Sequence, residues 1–289
     1  MAGTERVKQC HEGMVLVRGG TFEMGSANGN SNERSVRSVR ITTLCVDEHG
    51  FANEGKGKIT LLTANEFEAV PIACGSGAFQ TPLAGRYETA KEAWDANVAK
   101  VDHKNICGLY PRPLEAMELP QSPSGFDGPR QPLMRVKWKQ ADAICKAQGK
   151  RLLTEAEWEY VARGESHQQE YATRDGKKPT YKQARFGEGP TADVCSYRGN
   201  YVTWEGEEIC DLAINTLEWV SDWYQDSYAG LGNVNPTGSL METGRKVLRG
   251  GFWYSKGVDG RRASNRDWGN LGYTSDVTGF RCASSPERL

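Results

Sequence analysis

Apolar positions along this chain fall mostly into short alternating runs, with helical spacing in only a few places. Met14-Val-Leu-Val-Arg-Gly-Gly-Thr-Phe-Glu-Met24 reads as two short strands around a Gly-Gly turn, and residues 38–46 (SVRITTLCV) as another strand. The polar tract Gly25 to Arg37 between them predicts a loop. Glu88 to Lys100 carries Ala90, Ala93, Trp94 and Val98 at helical spacing. Lys139 to Gln148 sets Ala141, Ile144 and Cys145 on one face, with Gly149 placed as a C-terminal cap. Thr154-Glu-Ala-Glu157 is a capping box that opens a second helix, with Trp158, Val161 and Ala162 as its buried stripe and Gly164 as its stop. Polar insertions and the segment Cys210–Tyr224 follow, and no internal repeat is present.

Two stretches depart from regular patterning. Residues 111–132 hold Pro111, Pro113, Pro120, Pro123, Pro129 and Pro132, half of the chain's 12 prolines. That density excludes a helix or a central strand and predicts a surface excursion without a function of its own. The second stretch, Arg249 to Cys282, is bounded by what read as short buried strands, Val247-Leu248 with Phe252-Trp253 and Gly279 to Ala283. Its middle is rich in Gly, Ser, Asn and Asp, lacks any apolar period, and still carries Tyr254, Trp268 and Tyr273. Rigid aromatics among small polar residues suit a ligand-contacting surface of the antibody kind; the plainer alternative is that they plug the core.

Composition narrows the classes. A formal net charge of −1, from 36 Lys+Arg and 37 Asp+Glu, gives no electrostatic footprint for nucleic acid or an anionic membrane. No apolar run approaches the ~20 residues that span a bilayer. MAGTERVKQC has no apolar signal core, so any export signal lies outside these residues. The eight cysteines form no CxxC, which disfavours a zinc ribbon; their even number permits disulfides and an extracytoplasmic setting. The GxxxxGK match at Gly50–Lys56 is followed by Gly57, which has no hydroxyl for Mg²⁺, and by no helical pattern. There is no GxSxG and no HExxH.

Several motifs converge: MVLVRGGTFEMGS, AICKAQGKRLLTEAEWEYVARG, NTLEWVSDWY, VLRGGFW and GFRCAS. In this order they resemble the sulfatase-modifying, formylglycine-generating-enzyme family, over nearly the whole chain with insertions around 50–130 and 165–195. The resemblance implies an α+β class and a single C-type-lectin-like domain over 1–289, with few short strands, two main helices and long irregular loops. The enzymes of that family carry two reactive, copper-binding cysteines after the GG pair. Those positions fall here at Ser255 and Gly260, which cannot supply thiolate ligands. The family's iron-dependent sulfoxide synthases add a histidine-rich module, whereas the four histidines here (11, 49, 103, 167) are scattered.

A third class resembles this chain more closely, the variable proteins of diversity-generating retroelements. Their C-terminal segment opens on RGG-aromatic-Trp, closes on GFR and is diversified in between. The resemblance therefore implies a non-catalytic binding protein, exported or at the cell surface, whose partner is an unidentified macromolecule, most simply a protein. The alternatives are a divergent oxidase of the same family and a fixed adhesive lectin-like domain.

Within 249–282 the expected frame is Arg249, Gly250, Gly251, Trp253, Gly279, Phe280, Arg281 and Cys282, joined by Arg261, Arg262 and Arg266. The expected partner-facing set is Phe252, Tyr254, Ser255, Lys256, Val258, Asp259, Ser264, Asn265, Asp267, Trp268, Asn270, Tyr273, Thr274, Ser275 and Asp276, with Tyr254, Trp268 and Tyr273 as the main anchors. No cofactor is required. The resemblance also implies a structural calcium held by Asn215 and Glu218, with Asn200 at a second site, although Ile214 and Leu217 replace the Gly and Trp of that motif. It aligns Cys145 and Cys282 with a bridged pair; Cys195–Cys210 and Cys74–Cys107 are further possible pairs.

Overall fold

The computed structural model describes residues 8–58, 67–73, 83–87, 106–113, 119–180, 189–239, 241–254 and 261–288. The chain divides into two compact units, 1–59 with 120–289, and 60–119. In the first half of the sequence the strands are β1 (Lys8–Gln9), β2 (Met14–Val17), β3 (Gly20–Met24), β4 (Arg37–Ile41), β5 (Leu44–Asp47), β6 (Phe67–Ala73), β7 (Leu83–Tyr87) and β8 (Ile106–Pro113). Helix α1 (Trp138–Ala147), β9 (Arg151–Leu152) and helix α2 (Glu155–Ala162) come next. The remaining strands are β10 (Tyr201–Trp204), β11 (Glu207–Cys210), β12 (Leu217–Trp223), β13 (Arg245–Arg249), β14 (Arg266–Asn270), β15 (Thr278–Phe280), β16 (Cys282–Ser284) and β17 (Glu287–Arg288).

The larger unit holds two four-stranded sheets, ordered β2-β5-β16-β9 and β14-β13-β12-β15, with the two-stranded pairs β3-β4, β10-β11 and β1-β17. Strand β12 runs antiparallel to β13 and parallel to β15, so the two ends of the segment 249–282 flank one central strand. The smaller unit is a three-stranded antiparallel sheet, β7-β6-β8. Pro111 and Pro113 lie in β8, at the edge of that sheet, where a missing N–H is tolerated. The helix expected at Glu88 to Lys100 and the pair Cys74–Cys107 lie outside the described residues.

The capping box forms as its residues require. Glu157 N donates to Thr154 Oγ1 at 3.1 Å and Thr154 N donates to Glu157 Oε2 at 2.8 Å. The helix it opens is buried on every side, not only along the expected stripe. Around it pack Val17, Phe22, Val39, Ile41, Val202, Trp204, Val220 and Val247, drawn from both sheets and two of the hairpins. Three disulfides join described residues: Cys10–Cys45, Cys145–Cys282 and Cys195–Cys210. The middle one ties α1 to β16 with a Cα–Cα separation of 5.6 Å, and the first pairing was not anticipated. Among the described residues no helix is long and apolar enough to cross a membrane.

Cys145 and Cys282 are 137 residues apart, so their bond removes a large amount of chain entropy from the unfolded state. Replacing both with alanine should cost about 2–5 kcal/mol in urea unfolding. A loss below about 1 kcal/mol would show that the link does not brace the fold.

Candidate ligand-binding surface

The fully buried helix α2 carries three carboxylates, and two of them set the position of the segment beyond β13. A buried carboxylate is tolerated only with a partner, and each of the three has an arginine. Glu155 takes Arg266 in a two-pronged pair at 2.6 and 2.9 Å. Glu157 takes Arg151 at 2.6 and 2.7 Å. Glu159 takes Arg249 at 2.6 Å and Arg163 at 2.8 Å. Two of those arginines, 249 and 266, belong to the segment itself.

The segment is pinned at both ends by the same device. Arg249, 0% exposed, also donates to the carbonyls of Ala263, Ser264 and Asn265, and so folds the returning chain onto its own start. Arg281, 1% exposed, pairs with Glu218 and donates to the carbonyls of Cys210, Asp47 and Glu48. Trp158 Nε1 donates to Glu218 at 2.8 Å, which ties this pair to α2. Arg262 adds a buried pair to Glu33 at 2.6 Å. Burial pushes the Glu33 carboxyl upward, but Arg262 and Ser264 outweigh it and hold the group below its usual value. At Gly250, φ is +85° and an added Cβ would stand 3.0 Å from Leu212 O, so the GG after β13 admits glycine there.

The expected partner-facing residues separate into four groups. Tyr254 (48%) and Trp268 (43%) are exposed, as are Asp267, Asn270 and Thr274. Phe252, Tyr273, Ser275 and Asp276 are half-buried. Ser264 (3%) and Asn265 (8%) are buried and belong to the frame: Ser264 Oγ donates to Glu33 at 2.7 Å, and the Asn265 carbonyl accepts from Arg249. Ser255, Lys256, Val258, Asp259 and Gly260 lie outside the described residues.

Residues 266–270, expected to be irregular, form β14, the edge of its sheet. Their apolar period was hidden because Arg266 is the buried residue and Trp268 the exposed one. The open edge is already blunted: Asp267 Oδ1 accepts from Trp268 N at 2.7 Å and Asn270 O accepts from Tyr273 N at 2.9 Å. Strand alternation then separates two of the expected anchors. Trp268 shares a face with Arg266, with its ring 6.1 Å from Tyr224 and Arg245 stacked on it at 4.8 Å. Tyr273 covers Gly269 on the opposite face, edge-on to Trp219, and a Cβ at 269 would lie 2.6 Å from Trp219. Tyr254 rests on Trp253, whose Nε1 donates to Asp276 O at 3.0 Å. Phe252-Trp253, expected as strand, is not strand: Phe252 is irregular and Trp253-Tyr254 form a turn.

At two of the residues expected to hold calcium, the side-chain oxygens have protein partners. Glu218 is taken by Arg281 and Trp158, and Asn215 Oδ1 accepts from Ala192 N while its Nδ2 donates to Ala192 O. Asn215 also holds φ at +120°, outside the usual L-residue regions, and its carbonyl accepts from Trp253 N. Asn200 is different: its Oδ1 is buried with no partner among the described residues, while its Nδ2 donates to Asp211 Oδ1 at 2.9 Å and to Ile214 O at 3.3 Å. Asp211, which sequence reasoning passed over, is a buried carboxyl pushed up to about 6 by burial. Asp211 spends both of its oxygens too, Oδ1 on Asn200 Nδ2 and Oδ2 on Cys195 N at 2.9 Å, which leaves Asn200 Oδ1 as the open oxygen at this place among the described residues.

Among the described residues, two helices set among short sheets with long irregular connections make the architecture of an α+β, C-type-lectin-like fold. The sulfatase-modifying factor enzyme 1-like domain matches residues 2–286, and the chain belongs to that family. It is 30% identical to the formylglycine-generating enzyme of Streptomyces coelicolor, over 95% of this chain and 90% of that one. It is 27% identical to the mouse protein named inactive C-alpha-formylglycine-generating enzyme 2, over 95% and 86%. Among solved structures it shares the fold of Treponema denticola variable protein 1, with a TM-score of 0.61 and 18% identity over 94% of this chain and 95% of that one.

One buried acid makes this framework sensitive to pH. Asp222 accepts from Glu155 N at 3.0 Å and from Ser221 Oγ at 2.9 Å; burial, and then repulsion from Glu155, push its carboxyl up to about 7. Between the ordinary aspartate value and about 7 the folded protein holds a proton that the unfolded chain has released. Asp222 therefore stabilises the fold at low pH, and that contribution is lost as pH rises through about 7. The stability difference between the native protein and Asp222→Asn should change by a few kcal/mol between pH 4 and 7.5, read from urea unfolding at each pH. A pH-independent difference would contradict this assignment.

Proposed function

We propose that this chain is a non-catalytic binding protein that presents side chains of residues 252–276 to a macromolecular partner. The observation that carries the reading is the contrast within one segment. Arg249, Arg262, Arg266 and Arg281 are buried in ion pairs, while Tyr254, Asp267, Trp268, Asn270 and Thr274 stand in solvent on the chain between them. A scaffold that fixes a segment through its arginines and backbone lets the outward side chains differ without unfolding, and it limits the entropy lost on binding. Variation of these positions, as in the variable proteins of diversity-generating retroelements, is part of the proposal. The fold shared with the Treponema variable protein is compatible with it. Three disulfides among the described residues fit an oxidising compartment, and we place the protein outside the cytoplasm.

The enzyme alternative draws on the relatives named as formylglycine-generating enzymes. Against it stand the residue types at the positions where the family resemblance puts the reactive cysteines: a serine hydroxyl at 255 and a bare glycine at 260 supply no soft ligand for copper. The purified protein should bind no stoichiometric Cu(I) and should leave a cysteine-containing sulfatase-type peptide unoxidised. A formylglycine product would overturn the reading. For the binding claim, a protein partner selected from a displayed library should lose affinity at least tenfold against Tyr254→Ala/Trp268→Ala, since exposed aromatic anchors are worth about 2 kcal/mol or more. Unchanged affinity would place the contact elsewhere.

A further inference from the structure

A second surface lies where hairpin β10-β11 meets strand β2. Hairpin parity fixes which backbone groups of β11 are free. Trp204 pairs with Glu207 across the two-residue turn Glu205-Gly206, so Glu207 and Ile209 bond inward to β10, while Glu208 and Cys210 point their N–H and C=O away from it. The outward direction is confirmed at Cys210, whose N–H donates at 2.7 Å to the carbonyl of Glu48, the residue just after β5. Glu48 thus makes the first rung of a ladder along the outer edge of β11, and the rung at Glu208 has no strand opposite it among the described residues.

The same parity argument applies to β2, the edge of its sheet. Glu48 N donates to Gly13 O, so Gly13, Val15 and Val17 bond toward β5, and Leu16 directs its N–H and C=O outward. Along these edges lies a cavity of about 690 Å³, lined by Leu16, Glu12, Glu48, Glu207, Glu208 and His11 among others. That size is within the ~300–1,000 Å³ of ordinary ligand sites. Its lining contains four carboxylates and no lysine or arginine, and none of the four forms an ion pair with a described lysine or arginine. The Cys195–Cys210 disulfide holds the Cys210 end of β11, so that edge is braced before anything docks.

We propose that this groove receives an extended, lysine- or arginine-bearing peptide segment, which adds as a strand to the outer edge of β11. Its backbone continues the pairing begun by Glu48 and meets the free N–H and C=O of Glu208. Its basic side chains meet these carboxylates according to face, Glu208 on one side of β11 and Glu207 on the other. Strand addition supplies backbone affinity, and the unpaired carboxylates supply the sign of charge that is selected. The site is independent of residues 252–276, so its failure would leave the function proposed above untouched.

The test uses three fluorescein-labelled hexapeptides, alternating Lys-Val, Glu-Val and Lys-Pro, titrated with the full chain at low salt. Lys-Val should bind, Glu-Val should not, and Lys-Pro, which lacks half the backbone donors, should bind at least tenfold more weakly than Lys-Val. Glu207→Gln/Glu208→Gln, at two exposed positions and with an unchanged melting temperature, should weaken Lys-Val at least tenfold. Hydrogen exchange should show the Glu208 amide protected by at least tenfold in the Lys-Val complex. No binding, equal binding of Lys-Pro and Lys-Val, or an unprotected Glu208 amide would each overturn strand addition. The last two would leave only nonspecific attraction to acidic surface.

Discussion

Buried guanidinium groups matched to buried carboxylates are what the C-terminal half of this protein depends on. Arg249 and Arg281 are essentially without solvent contact, and each donates both to a carboxylate and to carbonyls of sequence-distant chain. Such pairs do not add large net stability, because desolvation offsets most of the attraction. They discriminate instead: with one partner missing, a charge is stranded in the core, so alternative packings of the same chain are penalised. That gives a segment with little apolar content a defined path.

Three consequences meet at the surface. The described stretches 249–254 and 261–266 are held through carbonyls and arginines, not through the side chains at 252, 254, 267 or 268. Strand β14 is positioned through Arg266 and Gly269, which leaves Trp268 on one face and Tyr273 on the other. The displayed aromatics accordingly do not make one patch. Trp268 stands over Arg245 and Tyr224, Tyr254 over Trp253, and Tyr273 is half withdrawn against Trp219.

Much of the frame was legible in the sequence. Thr154 and Glu157 announced the second helix, the apolar face of Ala141, Ile144 and Cys145 announced the first, and the motif resemblance aligned Cys145 with Cys282. Much of what was hidden shares one cause: polarity was read as exposure. Glu155, Glu157 and Glu159 are buried because each meets an arginine from elsewhere in the chain, and Ser264 is buried because it meets Glu33. The strand at 266–270 was missed for the same reason, since RDWGN places its buried residue on Arg266. Asn215 and Glu218 matched a metal motif by type, yet a backbone amide and Arg281 already hold their oxygens. The pairing of Cys10 with Cys45 depends on β2 lying beside β5, which neither cysteine's spacing encodes.

The central claim is that buried charge, and not the outward side chains, holds the segment in place. Urea unfolding at pH 7 of two variants compares the two contributions directly. The first combines Tyr254→Ala, Asp267→Ser, Trp268→Ala, Asn270→Ser and Thr274→Ala. The second is Glu218→Ala alone, which strands Arg281. Exposed substitutions cost little each, so the five together should lose less than about 2 kcal/mol, whereas the single buried change should lose about 3–5 kcal/mol. If the five surface changes cost more than the one buried change, the displayed side chains are part of the core and the account is wrong.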